Sequence, residues 1–177
     1  NMLINKIGFP LVIKPVNEGS SVNVYICNLE NFFKNLNKLK DYSEILIEKY
    51  IPGKEIQVAI LSGKILGAIE LKPKRKFYDY EAKYNPKAKT EHIIPVKLSQ
   101  KNYDHVCKIA LKAHNLLSCR GVTRSDFRFY KNKFYLLETN TQPGMTSLSL
   151  VPEIAKFNNI TFKNLIEKIL RDASIKK

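Results

Sequence analysis

One pattern limits the folds open to this chain more than any other. Arg124-Ser125-Asp126 is answered a hairpin's length later by Glu138-Thr139-Asn140. Residues two apart on a strand share a face, so Arg124 and Asp126 point together, as do Glu138 and Asn140. For the two pairs to meet across an antiparallel ladder, the connecting loop must hold an odd number of residues. A loop of Lys131, Asn132 and Lys133 satisfies that condition and sets Asp126 opposite Glu138. Asn132 tolerates the left-handed conformation such loops require. Facing carboxylates repel, and a bound cation removes the conflict. Asp126, Glu138 and Asn140 together offer the all-oxygen donors that suit magnesium. The alternative is a pair of amphipathic strands with solvated charges on the outer face.

Composition narrows the classes. The 177 residues fit one domain or one and a half small lobes, and 44% hydrophobic content is ordinary for a globular chain. No apolar run reaches the length of a membrane span and no leader pattern opens the chain, so no membrane role is expected. Cys27, Cys107 and Cys119 are odd in number and unpaired in spacing, which reads as reduced thiols in a cytosol. His92, His105 and His114 lack metal-ligand spacing and read as structural or exposed, with His105 and His114 off the apolar stripe of a helix.

A net charge of +14 makes nucleic acid the first rival partner. Its densest run is Lys72, Lys74, Arg75 and Lys76, then Lys83, Lys87 and Lys89, interleaved with Phe77, Tyr78, Tyr80 and Tyr84. Such a loop can stack single strands. It can equally cover a nucleotide triphosphate, and charge alone does not choose.

Along the chain, Leu11–Lys14 reads as a buried strand, and Pro15 holds Lys14 extended. A loop follows with Glu18-Gly19-Ser20-Ser21 at its tip. A helix is expected from near Asn28, with Leu29, Phe32, Phe33, Leu36 and Leu39 on one face. Ile45–Glu48 is a short strand, and Ile56–Leu61 with Lys64–Leu71 a hairpin about Ser62-Gly63. Val106, Ile109, Ala110, Ala113, Leu116 and Leu117 mark a helix entered near Ser99. Thr161 caps a last helix carrying Phe162, Leu165, Ile166, Ile169 and Leu170. Hairpins beside helices argue an α+β fold.

Lys14, at a strand end, supplies a point charge for phosphate oxygens. Gly19, Ser20 and Ser21 let backbone and hydroxyls approach phosphate closely. An ordinary surface turn is the competing reading, and no Walker pattern is present. Glu48 can accept from an adenine amine or a ribose hydroxyl, or be merely solvated.

Gly8-Phe9-Pro10, Lys14-Pro15, Glu18-Gly19-Ser20-Ser21-Val22, Ile47-Glu48-Lys49 and Pro52-Gly53-Lys54-Glu55 form an ordered series. It continues through the block Phe77 to Tyr84, the two hairpin triplets, and Pro143-Gly144-Met145-Thr146-Ser147-Leu148-Ser149-Leu150. This series resembles the D-alanine–D-alanine ligases, from about Gly8 nearly to the C-terminus. The resemblance implies an ATP-grasp fold. Residues 1–48 would be the second part of its small lobe, and 49–177 the C-terminal lobe with a lid at about 72–90.

It further implies that Lys14 and Lys83 hold ATP phosphates beneath the Glu18, Ser20 and Ser21 loop. Glu48, Lys49 and Ile51 would meet adenine, and Glu55 the ribose. Asp126, Glu138 and Asn140 would ligate two magnesium ions, manganese being an acceptable replacement. Arg124 and the Gly144 N–H would stabilise an oxyanion, and Ser149 and Leu150 would hold the second substrate. Tyr84 on the lid would bond to Ser20 and goes with D-alanine as that substrate. The implied product is D-alanyl-D-alanine for peptidoglycan synthesis, made in the cytoplasm through an acyl phosphate. Other readings are a ligase for another carboxylate and amine, or a silent remnant.

The family carries a further N-terminal domain and the first part of the small lobe, with a glutamate and a lysine that have no counterpart here. Alone, the chain is therefore expected to bind Mg-ATP poorly and turn over slowly or not at all. Family members are commonly homodimers. Asn23 stands where the family usually has glycine, and Asn accepts positive φ better than most residues.

Overall fold

The computed structural model describes residues 2–73 and 90–173. The expectations for Lys83, Tyr84 and the rest of the basic, tyrosine-rich lid fall outside those residues. The described residues form two compact units, one built on the chain up to Ile51 and one on Pro52–Lys72 and the chain from Glu91 onward.

In the first unit, α1 (Met2–Ile7) leads into β1 (Leu11–Pro15), β2 (Tyr25–Cys27), α2 (Phe32–Asn37) and β3 (Ile45–Lys49). The strands make an antiparallel sheet in the order β2-β1-β3. Alternation along β1 sends Leu11 and Ile13 into the core with Cys27, Phe32 and Leu39. Val12 and Lys14 take the other face, which they share with Glu48. The helix after Asn28 is shorter than expected, and its apolar residues do not form one buried stripe. Phe32 and Leu39 are buried, whereas Leu29 and Phe33 are 72% and 67% exposed.

The second unit holds β4 (Lys54–Leu61), β5 (Lys64–Lys72), β6 (Glu91–Ile93), α3 (Gln100–Leu116), β7 (Val122–Tyr130), β8 (Lys133–Asn140), α4 (Leu150–Phe157) and α5 (Phe162–Asp172). The five strands form one antiparallel sheet, ordered β6-β5-β4-β7-β8. On one face Ile56, Val58, Ile60, Ala68 and Phe127 pack against Val106, Cys107 and Ala110 of α3. Burying side chains of this size contributes roughly 1.5–3 kcal/mol each, which fixes that face inward. Ser99 and Thr161 cap α3 and α5 as expected, accepting from the N–H groups of Asn102 and Asn164. Leu116 and Leu117, expected on the α3 core stripe, are exposed, while His114 is buried instead. Its Nδ1 lies 2.9 Å from Thr123 Oγ1 on β7, so a polar partner inside the core offsets its desolvation.

The hairpin loop differs from expectation. Tyr130 pairs with Lys133, so the loop is Lys131-Asn132 alone, two residues with φ of +48° and +59°. An even loop would set Asp126 against Leu137. A bulge between Asp126 and Phe127 on one side, with Leu137 as the extra residue on the other, restores the pairing of Asp126 with Glu138 and Arg124 with Asn140.

Candidate active site

The face of the larger sheet away from α3 is polar along its β4–β7–β8 half. Opposed residues share a face, so Glu55 and Gln57 of β4 stand with Arg128, Asp126 and Arg124 of β7 and with Glu138 and Asn140 of β8. Arg124 grips both oxygens of Asp126, Nε to Oδ1 at 2.7 Å and Nη2 to Oδ2 at 3.0 Å. One column further, Arg128 donates to Glu55 at 3.2 Å. Each carboxylate is thus held by the guanidinium of its own neighbourhood. Glu138 is exposed, and Asn140 Oδ1 accepts from the Gln142 N–H at 2.9 Å, shaping the turn after β8. Among the described residues no group of three His, Cys, Asp or Glu could hold a metal. The expected donor set comprises two carboxylates and an amide, and the ladder sets all three on one face.

Beyond β8 the chain turns through Pro143-Gly144 into α4. Thr146 N–H donates to Ser149 Oγ at 2.9 Å, and the two hydroxyls lie 2.9 Å apart. Ser149 fills the space beside Gly144 so closely that a Cβ there would sit 2.9 Å from its Oγ. Leu150 is buried at the first turn of α4, so what it offers outward is a backbone N–H without an intrahelical acceptor. The first turn also carries Glu153, whose Oε2 lies 2.6 Å from His92 Nδ1 on β6.

In the first unit, Lys14 and Glu48 lie 2.7 Å apart as an ion pair on the open face of the small sheet. Sequence reading gave them separate tasks, and the β1–β3 register brings them together. The loop holding Glu18, Ser20 and Ser21 is pinned by a network that spacing alone does not reveal. Tyr42 donates to Glu18 at 3.0 Å, Asn23 donates to Tyr42 at 2.7 Å, and Tyr25 donates to Asn23 at 3.1 Å. Ser20, Ser21 and Asn23 have φ of +53°, +61° and +55°, so Asn23 does adopt the conformation for which glycine is the usual residue. Lys49 ends β3, and Ile51 follows it at the close of the unit.

Gln57 and Arg128 were not anticipated as part of the polar face. The signal was present: each sits two residues along a strand from an expected site residue, Glu55 or Asp126.

Solved structures place the architecture in a class. The D-alanine–D-alanine ligase of Bacillus anthracis matches with a TM-score of 0.84 at 35% identity, covering 97% of this chain and 56% of that one. The same enzyme complexed with ATP matches at 0.79 and 30%, covering 96% and 54%. The fold is therefore α+β, of the ATP-grasp type.

A family model described as D-ala D-ala ligase C-terminus matches residues 1–171. The D-alanine–D-alanine ligase of Pelagibacter ubique is 66% identical over 169 residues, 96% of this chain and 56% of the relative. That of Rickettsia bellii is 47% identical over 178 residues, covering 98% and 55%. The chain belongs to the D-alanine–D-alanine ligase C-terminal family. It spans just over half the length of the curated relatives it matches.

Proposed function

We propose that this chain is the nucleotide-binding and catalytic portion of a cytoplasmic ligase that joins two D-alanine molecules using Mg-ATP. Residues 1–48 belong to the small ATP-grasp lobe and 49–177 to the C-terminal lobe, with the lid at about 72–90. The observation that carries the reading is the bulged register, which keeps Asp126, Glu138, Asn140 and Arg124 on one face with Glu55. Two carboxylates and an amide oxygen are hard donors, and that chemistry fits magnesium. When bound, the metal neutralises charge on the transferring phosphoryl group.

The chain's own residues supply the rest. Lys14, beside Glu48, directs its ammonium to the phosphates. Glu55, braced by Arg128, accepts from the ribose. Glu48, Lys49 and Ile51 receive adenine, Lys83 adds charge from the lid, and the Glu18, Ser20 and Ser21 loop covers the phosphates. A carboxylate oxygen of the first D-alanine attacks the γ-phosphorus, the bond to the β-phosphate bridging oxygen breaks, and ADP leaves. The second D-alanine is held by Ser149 and the Leu150 N–H, with Tyr84 closing over it. Its amine attacks the acyl carbon while Arg124 and the Gly144 N–H stabilise the oxyanion. The C–O bond then breaks, inorganic phosphate departs, and the amine loses its proton. A closed lid excludes the water that would hydrolyse the acyl phosphate.

The partner implied is the amino-terminal half that relatives carry, in an intact protein that pairs as a homodimer. The test uses the chain joined to that half and D-alanine labelled with oxygen-18 in its carboxylate. One labelled oxygen is expected in the inorganic phosphate for each dipeptide formed. Dipeptide without label transfer would overturn the acyl-phosphate route. Absence of dipeptide from a folded protein would overturn the D-alanine assignment.

A further inference from the structure

Gln57 stands at the centre of the polar face, and no step above employs it. It lies two residues from Glu55 along β4 and directly opposite Asp126 on β7. Its side chain is 1% exposed, yet Oε1 finds no hydrogen-bond partner among the described residues. Charge fixes how the amide lies. Nε2 points at Glu55 Oε1, 3.5 Å away, and the reverse orientation would set the amide oxygen against a carboxylate. The acceptor end is therefore directed away from Glu55. Folded proteins satisfy nearly all buried acceptors, and an exception marks a place where a partner is expected. Neither flanking carboxylate, Glu55 or Asp126, can donate when ionised.

We infer that Gln57 is a further residue of the nucleotide site, its Oε1 accepting a hydrogen bond from an O–H group that arrives with the nucleotide and its cation. That group is a ribose hydroxyl or a water of the cation's shell. The inference rests on the nucleotide reading above. Gln57 is 1% exposed, so reaching Oε1 requires neighbouring side chains of the same face to move as the ligand binds. The same amide steadies Glu55 through Nε2, so Gln57 both positions the expected ribose acceptor and supplies a second one.

Thermal unfolding of the chain joined to the amino-terminal half of its relatives, and of the same protein with Gln57→Met, tests this without any turnover. Methionine keeps the length and removes the unmatched acceptor, so the ligand-free variant melts higher than the parent, by about 3 °C. With about 10 mM Mg-ATP the parent gains stability by mass action, and the variant loses at least half of that gain. A variant that melts lower without ligand and keeps the full nucleotide shift overturns the inference, because Gln57 is then a structural amide. If Gln57→Met does not fold, Gln57→Asn withdraws the amide by one carbon and is expected to lose the nucleotide shift, and retention overturns the inference.

A parent with no nucleotide shift removes the nucleotide reading and the inference with it. That result is distinct from a parent shift that survives substitution. The 2′- and 3′-deoxy nucleotides separate the two donors. If Oε1 receives a ribose hydroxyl, losing that hydroxyl weakens the parent more than Gln57→Met. If it receives cation-bound water, the loss is equal in both.

Discussion

Arg124 holds both carboxylate oxygens of Asp126 from two residues away on the same strand, at 2.7 and 3.0 Å. The pair is mostly shielded, with side-chain exposures of 14% and 8%. Removing one partner takes the two-bond ion pair away from the other. Asp126→Ala is expected to destabilise the chain by about 2 kcal/mol, while Arg124→Leu combined with Asp126→Ala costs less than the sum of the single changes. Urea unfolding of the four proteins measures that coupling.

Two glycines separate fold from site. Gly53 has φ of +101°, and a Cβ there would come 2.2 Å from the Phe129 carbonyl oxygen. Gly53→Ala is expected to cost about 3 kcal/mol or more, because both the conformation and the backbone contact forbid it. Among the described residues Gly144→Ala meets Ser149 alone, its Oγ at 2.9 Å and its Cβ at 3.7 Å. It should leave the melting temperature nearly unchanged and, in the chain joined to the amino-terminal half of its relatives, raise the KM for D-alanine about tenfold through a displaced Ser149.

The Lys131-Asn132 turn carries left-handed residues at both central positions. Asn-Gly suits that turn better than Lys-Asn. Lys131→Asn with Asn132→Gly is expected to stabilise the chain by about 1 kcal/mol, and to raise its melting temperature by about 3 °C. The distances between Arg124 and Asp126 should be unaltered in a crystal structure of the variant.

Burial holds the His114 imidazole below its usual pKa, with Asp172 opposing. Below the ordinary value near 6.5 the unfolded chain binds a proton that the folded chain refuses. Stability from this group is therefore full above that pH and is lost as the pH falls toward the lowered folded pKa. The urea midpoint should drop between pH 7.5 and pH 5.5, by no more than about 1.4 kcal/mol per pH unit in free energy. His114→Gln should flatten the dependence.

Strand parity made the site legible in the sequence. Period-two alternation settles that Asp126 accompanies Arg124 and that Glu138 accompanies Asn140, whatever the loop between them. The loop count was not legible, because a bulge at Leu137 leaves no mark in composition and substitutes for a loop residue. Burial on α2 was misread for a related reason. Leu29, Phe32 and Phe33 are equally apolar, and only packing against β1 and β2 decides that Phe32 goes inward. Gln57 was overlooked because a lone glutamine in a β-branched strand looks like tolerated polarity until its burial and unmatched oxygen are seen.

The most direct measurement is D-alanine-dependent phosphate release from Mg-ATP, made on the chain joined to the amino-terminal half of its relatives and on the same protein with Asp126→Ala. The account predicts release that requires D-alanine and falls at least a hundredfold in the variant. Release independent of D-alanine, or unchanged by Asp126→Ala, would contradict it.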